Sequence, residues 1–288
     1  MKAIIIGSGI SGICAAVRLK HQGFDVEVYE KNDGPGGKLN TFFLDEFRFD
    51  AGPSLFTMPH LVDELFELFE LNPRDYFNYK KKKIHCKYFW DDGTKFIAYS
   101  DKNKFLNEIK DKFNIEADVV NKYLRNARTK YDLTEKIFLK KSLHKLSSFL
   151  NIETVKALFH LNVFQINKTL NEVNSNELKN KYLVQIFNRY ATYNGSSPYK
   201  TPGMMTLIQH LENHFGTYIP DGGMYEITNS IFKLAKKIGV KFYFKSKVDE
   251  IILEKNTVKK IKVNNEIIQS DIIVTNTDVH FTYEKLLN

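Results

Sequence analysis

Residues 1–30 read MKAIIIGSGISGICAAVRLKHQGFDVEVYE, and this stretch decides the fold. Lys2 to Ile6 is a short apolar run rich in β-branched residues, as a strand buried on both faces requires. Gly7-Ser8-Gly9-Ile10-Ser11-Gly12 follows at once, then a helical pattern closing at Gly23, a second strand from Phe24 to Tyr29, and the acid Glu30. Strand, GxGxxG, helix, strand and acid, in that order, form the dinucleotide-binding fingerprint. Gly7 permits the tight turn, Gly9 lets the backbone approach a pyrophosphate, and Gly12 lets the helix pack closely on the strand. The helix start at Ile10 and Ser11 offers unbonded N–H groups and a partial positive charge to phosphates. Glu30 is placed to accept hydrogen bonds from an adenosine ribose, and its charge disfavours a 2′-phosphate. The expected class is α/β, with a Rossmann-like nucleotide-binding domain.

The fingerprint does not choose among dinucleotides, so the next residues matter. They are Pro35-Gly36-Gly37-Lys38-Leu39-Asn40-Thr41. Two successive glycines let a backbone segment lie against a cofactor with no Cβ in the way. Lys38 adds a cation that can balance phosphate charge. GGKxxT at this distance from the ribose acid resembles the second signature of FAD-dependent amine oxidases and carotenoid desaturases. The resemblance implies FAD as cofactor, with Gly36, Gly37 and Lys38 joining Gly7, Gly9, Ile10, Ser11, Gly12 and Glu30 around it.

Residues 49–59, FDAGPSLFTMP, are too broken for a helix interior or a central strand. Under the same resemblance this segment runs from the cofactor's phosphates toward the flavin ring. Gly52 and Pro53 then fix the backbone beside the cofactor, and Ser54, Leu55, Phe56 and Met58 face a substrate channel. Asp50 is read as structural, holding neighbouring backbone N–H groups as turn aspartates do.

Further on, HLVDELFELFEL reads as a helix, and Ile84 to Tyr99 as a hairpin turning at Asp92-Gly93. From about residue 101 to residue 188 nearly everything reads as helix. Leu139, Leu143, Leu146 and Leu150 recur at helical spacing among Lys136, Lys140, Lys141 and Lys145. Such a basic amphipathic helix either packs on its own core or lies in a membrane interface. NGSSPYKTP (194–202) and TYIPDGGM (217–224) resemble the matching regions of the phytoene desaturase family. That family places a helix next, here Tyr225 to Ile238, then a strand, and then a backbone contact to adenine at the position of Val248. Short strands follow to residue 274, and DIIVTNTDVHFTYEKLL resembles the family's return to the nucleotide-binding sheet.

The resemblance implies an amine-oxidase or glutathione-reductase-like FAD domain, residues 1–75 and 205–288, with an inserted, mainly helical substrate domain, residues 76–204. It also implies a further C-terminal segment, with a glycine-rich stretch closing over the flavin, that these 288 residues lack. The reaction implied is dehydrogenation of an acyclic carotenoid. FDAGPSLFTMP with VDELF and NPRDYFNY looks more like the bacterial 1-hydroxycarotenoid 3,4-desaturase branch than phytoene desaturases proper. Phytoene or another acyclic carotenoid is the alternative substrate. Three other readings stay open: another FAD amine-oxidase-like enzyme, a non-catalytic fragment, and a non-redox prenyl binder like Rab escort and GDP-dissociation-inhibitor proteins. Glu30 and GGKxxT are not required of such a binder, and both are present.

Composition narrows the field. Net charge is +8 but spread along the chain, and few of the 42 cations are Arg, so nucleic acid is not the expected partner. No nucleophile elbow, HExxH or paired-carboxylate motif occurs, the eight His are scattered, and no catalytic base is assigned. Cys14 and Cys86 carry no metal spacing and fit a reducing, cytoplasmic setting, with Cys14 expected as a small core residue. No apolar run is long enough to span a bilayer, so any membrane association is expected to be peripheral, at the inner face. The oligomeric state is not readable.

Overall fold

The computed structural model describes residues 1–135, 161–254 and 257–287. The chain divides into two compact units, Met1–Lys80 with Tyr218–Asn288, and Lys81–Thr217.

The first unit is built on a four-stranded parallel sheet. Its order is Ile272–Thr275, β1 (Lys2–Ile6), β2 (Asp25–Tyr29), Lys241–Tyr243. Ile4 pairs with Ile273 on one side and Glu27 on the other, so β1 is central. A central parallel strand has both faces covered, which is why β1 reads as an unbroken apolar run. Ala3 and Ile5 face a core with α1 (Ile10–His21) and the helix Glu226–Lys237, including Ile13, Val17, Val28, Ile231 and Leu234. Ile4 and Ile6 point the other way, into a second cluster with Val248, Ile251, Ile261 and Val263. That second cover is an antiparallel sheet of Val248–Glu254, Thr257–Val263 and Glu266–Gln269. Alternation along one strand thus supplies two cores. Arg18, Lys20 and His21 sit in the last turn of α1, where cations complement the helix dipole. Cys14 of α1 is half-buried rather than enclosed, and burial pushes its thiol up to about 11, which leaves it protonated and unreactive.

Two further strands, β3 (Asn40–Leu44) and β4 (Phe47–Ala51), form an antiparallel hairpin, with Phe42 opposite Phe49. Residues 49–59 hold no helix interior and no central strand, but Phe49, Asp50 and Ala51 complete β4 in this two-stranded hairpin. Cross-strand pairing overrides the glycine and proline that follow. After them α2 (His60–Glu67) buries Val62, Leu65 and Phe66.

The second unit holds the hairpin Ile84–Phe89 and Lys95–Tyr99, turning at Asp92-Gly93 as expected, and the helices Lys102–Phe113, Ala117–Thr134, Leu170–Leu178 and Lys181–Asn188. Three of the four starts are capped by side chains: Asp101 accepts from Lys104 N, Thr169 and Glu172 form a capping box, and Asn180 accepts from Tyr182 N and Leu183 N. Phe96, Ile109, Val120, Leu183 and Phe187 lie in its core. The basic amphipathic pattern of Leu139, Leu143, Leu146 and Leu150 falls outside the described residues. Among the described residues no helix is long and apolar enough to cross a membrane.

Candidate functional site

The site begins where β1 ends. Gly7 N donates to Tyr29 O at 2.8 Å, tying the loop to β2, and Gly9 caps α1 with its carbonyl accepting from Ile13 N at 3.0 Å. Ile10 and Ser11 occupy the first turn of α1, which carries no acid. The positive end of the helix therefore meets no side-chain counter-charge there.

The GGK segment lies on this loop. Gly36 N donates to Ser8 O at 2.9 Å, and Gly9 and Gly36 form an isolated parallel bridge. Gly36 has φ +126°, and a Cβ there would press on the Leu39 carbonyl oxygen and the Tyr225 ring. Gly52 has φ +125°, and its Cβ would collide with the Lys38 carbonyl oxygen. So the fingerprint loop, the GGK turn and the Gly52-Pro53 corner, well separated in sequence, close into one cradle of bare backbone. Lys38 is exposed at its edge.

Glu30 is 5% exposed and already heavily engaged. Its Oε2 accepts from Ser8 N at 2.7 Å and Ser8 Oγ at 2.9 Å, and its Oε1 accepts from Asn32 N at 2.9 Å and Asn32 Nδ2 at 2.8 Å. A carboxylate has about four acceptor positions. A ribose hydroxyl at Glu30 must therefore replace the Ser8 hydroxyl or the Asn32 amide, while the two backbone donors remain. The segment leading to Val248 runs alongside: Ser246 N donates to Glu30 O at 2.8 Å and Lys245 N to Asn32 O at 2.9 Å. Val248 itself is buried against Tyr29 and Ile6.

Asp50 does hold backbone N–H groups, but not neighbouring ones. Its Oδ2 accepts from Met224 N at 2.8 Å and its Oδ1 from Tyr225 N at 3.2 Å, with Arg48 close by at 3.6 Å. Arg48 also donates to Gly222 O. The strand acid thus anchors the DGGM loop at the head of the Glu226–Lys237 helix. With both oxygens occupied, Asp50 is a brace rather than a free base.

The four residues expected along a channel do not share one environment. Ser54 and Leu55 are exposed, Met58 is half-buried with φ +53°, and Phe56 turns into the core. Phe56 is 7% exposed, bridges to Tyr218, and meets Phe77, Tyr79 and Tyr218 edge-on. Phe56 therefore departs from the expected grouping because its ring is worth more in an aromatic cluster than in open space. The open apolar surface lies instead on the β3–β4 hairpin, where Phe42 is 52%, Phe43 66% and Phe47 70% exposed. Phe42 and Phe49 stack there at 5.4 Å.

Asn276 was not singled out from the sequence. With its amide oxygen turned to the loop it accepts from Gly9 N and Gly12 N, both at 3.3 Å, and its own N–H donates to Ile6 O at 2.8 Å. The available signal was topological: Asn276 follows the strand next to β1, at the carboxyl end where parallel sheets bind ligands. These bonds are long, and a charged phosphate oxygen competes for the same N–H groups better than a neutral amide does. Weakly held backbone donors at Gly9 and Gly12, no room for Cβ atoms, and a carboxylate beside the loop suit the adenine-dinucleotide part of FAD.

Comparison with known proteins agrees. Residues 10–280 match the family Flavin containing amine oxidoreductase. The chain is 48% identical over 286 residues to a 1-hydroxycarotenoid 3,4-desaturase of Flavobacterium sp. (strain P99-3), covering 99% of this chain and 58% of that protein. It is 32% identical to a 4,4'-diapolycopene oxygenase of Methylomonas sp, over 99% of this chain and 57% of that one. The chain thus spans less than three-fifths of the length of these relatives. In fold it is similar to cyclohexylamine oxidase from Brevibacterium oxydans IH-35A, with a TM-score of 0.60, 17% identity, and coverage of 99% of this chain and 60% of that one.

Proposed function

The chain belongs to the family of flavin-containing amine oxidoreductases, and from that premise we propose that it is the FAD-binding part of a carotenoid desaturase. The family's cofactor is a flavin, and the dinucleotide fingerprint makes it FAD. The reaction proposed is removal of two hydrogens from adjacent carbons of an acyclic carotenoid, with a 1-hydroxycarotenoid as the first choice of substrate. When bound, the flavin supplies a hydride acceptor at N5. The second hydrogen leaves the carotenoid as a proton to solvent, and the carbon skeleton gains one double bond.

One observation carries this reading: the backbone cradle is continuous with an exposed apolar hairpin. The Gly36-Gly37-Lys38 turn leads directly into β3, whose Phe42 and Leu44 lie open on the same face as Phe47 and Phe49 of β4. A nucleotide fits the first, and a long isoprenoid chain fits the second, since contiguous exposed apolar surface marks a binding face. The chain's own residues have three tasks in this scheme. Gly9, Ile10, Ser11 and Gly12 hold phosphates through backbone N–H groups, and Gly7 shapes the turn that aims them. Glu30, the Val248 backbone, Gly36, Gly37, Lys38, Gly52 and Pro53 fix the rest of the cofactor. Ser54, Leu55 and Met58 border the substrate and exclude water. We further propose peripheral association with the membrane that stores such a substrate.

Glu30 provides the test. Glu30→Ala is expected to weaken FAD binding about tenfold or more, since a charge-assisted hydrogen bond is worth roughly 1.5–3 kcal/mol. It also leaves Ser8 N and Asn32 N without acceptors, so Glu30→Gln, which retains one acceptor oxygen, separates folding from binding. FAD retained on gel filtration and read by its absorbance gives the answer. Unchanged affinity in a folded Glu30→Ala protein contradicts the ribose assignment.

A further inference from the structure

The second unit contains a cavity of about 140 Å³ lined by none of the residues assigned above. Lys102, Arg125, Arg128, His210 and His214 are in its wall, with Ser100 and Asn213 between them. Among the described residues Arg128 Nε meets Asp132 at 3.4 Å, in an exposed pair one helical turn apart. Asp101 turns its carboxylate to Lys104 N instead. The side chains that line the wall therefore carry net positive charge.

Gln209 supplies an independent sign of a ligand. It lines the cavity and is 1% exposed. Its Oε1 accepts from Asn213 Nδ2 at 2.9 Å, which fixes the orientation of the amide. Among the described residues its Nε2 then has no acceptor. A buried N–H without a partner is costly and uncommon. An anion in the adjoining cavity brings the missing acceptor.

We propose that this cavity binds a phosphate group, carried on a small solute or on a phospholipid headgroup. Lys102, Arg125 and Arg128 supply the charge, and Gln209 Nε2, the Ser100 hydroxyl and an imidazole N–H supply directional donors. A tetrahedral anion with several acceptor oxygens suits donors converging from separate elements. The volume of about 140 Å³ far exceeds the roughly 10–15 Å³ needed for one water.

Calorimetric titration of the full chain with inorganic phosphate, against chloride at equal ionic strength, tests the site. Saturable binding is expected, weakened about tenfold or more in Arg125→Gln/Arg128→Gln and also in Gln209→Leu. Vesicle flotation separates the sources. Capture by phosphatidylcholine containing phosphatidic acid, lost in the double variant, assigns a lipid headgroup. Phosphate binding without such capture assigns a free solute. Both arginines are exposed, so the fold is expected to survive their replacement, and fluorescence of Trp90, in the same unit, checks it. Should the double variant fail to fold, Lys102→Gln at an exposed helix start carries the same test. Binding that is equal in wild type and variants, or no binding of either probe, overturns the proposal.

Discussion

Gly12→Ala is expected to abolish FAD retention and to destabilise the first unit. A Cβ at Gly12 would collide with the carbonyl oxygen of Gly7 and would also lie 3.2 Å from Asn276 Cβ. The collision is with backbone, so no side chain can swing aside to relieve it. Either α1 lifts off β1, opening the core of Ala3, Ile5 and Ile13, or the loop shifts and its N–H groups lose their aim. Both routes cost more than about 2 kcal/mol, within the range for backbone strain and overpacking. The second route also removes the phosphate donors, so affinity for FAD is expected to fall by about 100-fold or more, equivalent to some 2.8 kcal/mol. Gly34→Ala is the control, because a Cβ there meets nothing and the backbone is not left-handed. FAD titration and thermal unfolding of both variants give the comparison. A Gly12→Ala protein with wild-type affinity would remove the close-packing argument.

Glu212→Ala is expected to destabilise the second unit by about 3–5 kcal/mol, the cost of leaving a buried partner charge uncompensated. Glu212 is 1% exposed. It accepts from Arg189 Nη2 at 2.6 Å, Tyr190 OH at 3.2 Å and Tyr193 OH at 2.7 Å. Arg189 Nε in turn donates to Tyr88 OH at 3.0 Å, and its guanidinium lies over the Tyr190 ring. Removing the acid strands a guanidinium and two hydroxyls. Burial, with the carboxylate of Glu212 beside it, raises the Tyr190 hydroxyl well above its usual range, so it stays a donor at any working pH. Trp90, the single tryptophan, lies in this unit and reports its unfolding in urea without signal from the other. Glu212→Ala/Arg189→Met is expected to recover part of the loss. If Glu212→Ala unfolds at the wild-type midpoint, the cluster contributes nothing to stability.

The elements that could be read from sequence are those whose cause is local. The order of strand, GxGxxG, helix, strand and acid fixes β1, α1 and β2 because each residue type answers a constraint within a few neighbours. The Asp92-Gly93 hairpin was legible for the same reason, whereas the Glu226–Lys237 helix was expected from the family resemblance. What stayed hidden depends on partners far along the chain. Asp50 looked like a turn aspartate because its true partners, Met224 N and Tyr225 N, lie 174 and 175 residues away. Phe56 shared an apolar cluster with its neighbours in sequence, yet alternation of side-chain direction and the Tyr218 bridge send it inward. Asn276 reaches Gly9 and Gly12 only because its strand returns beside β1. Glu30 was visible as an acid in the right place. That Ser8 and Asn32 already occupy its oxygens was not.

In the proposed function the cradle and the apolar hairpin together serve FAD-dependent removal of hydrogen from an acyclic carotenoid. Anaerobic mixing of the FAD-loaded protein with a 1-hydroxycarotenoid dispersed in lipid tests this most directly. The expected result is loss of the oxidised-flavin absorbance together with a red shift of the carotenoid by one conjugated double bond, in equal amounts. A protein that holds FAD yet keeps its flavin colour and leaves 1-hydroxycarotenoid and phytoene unchanged would contradict the account.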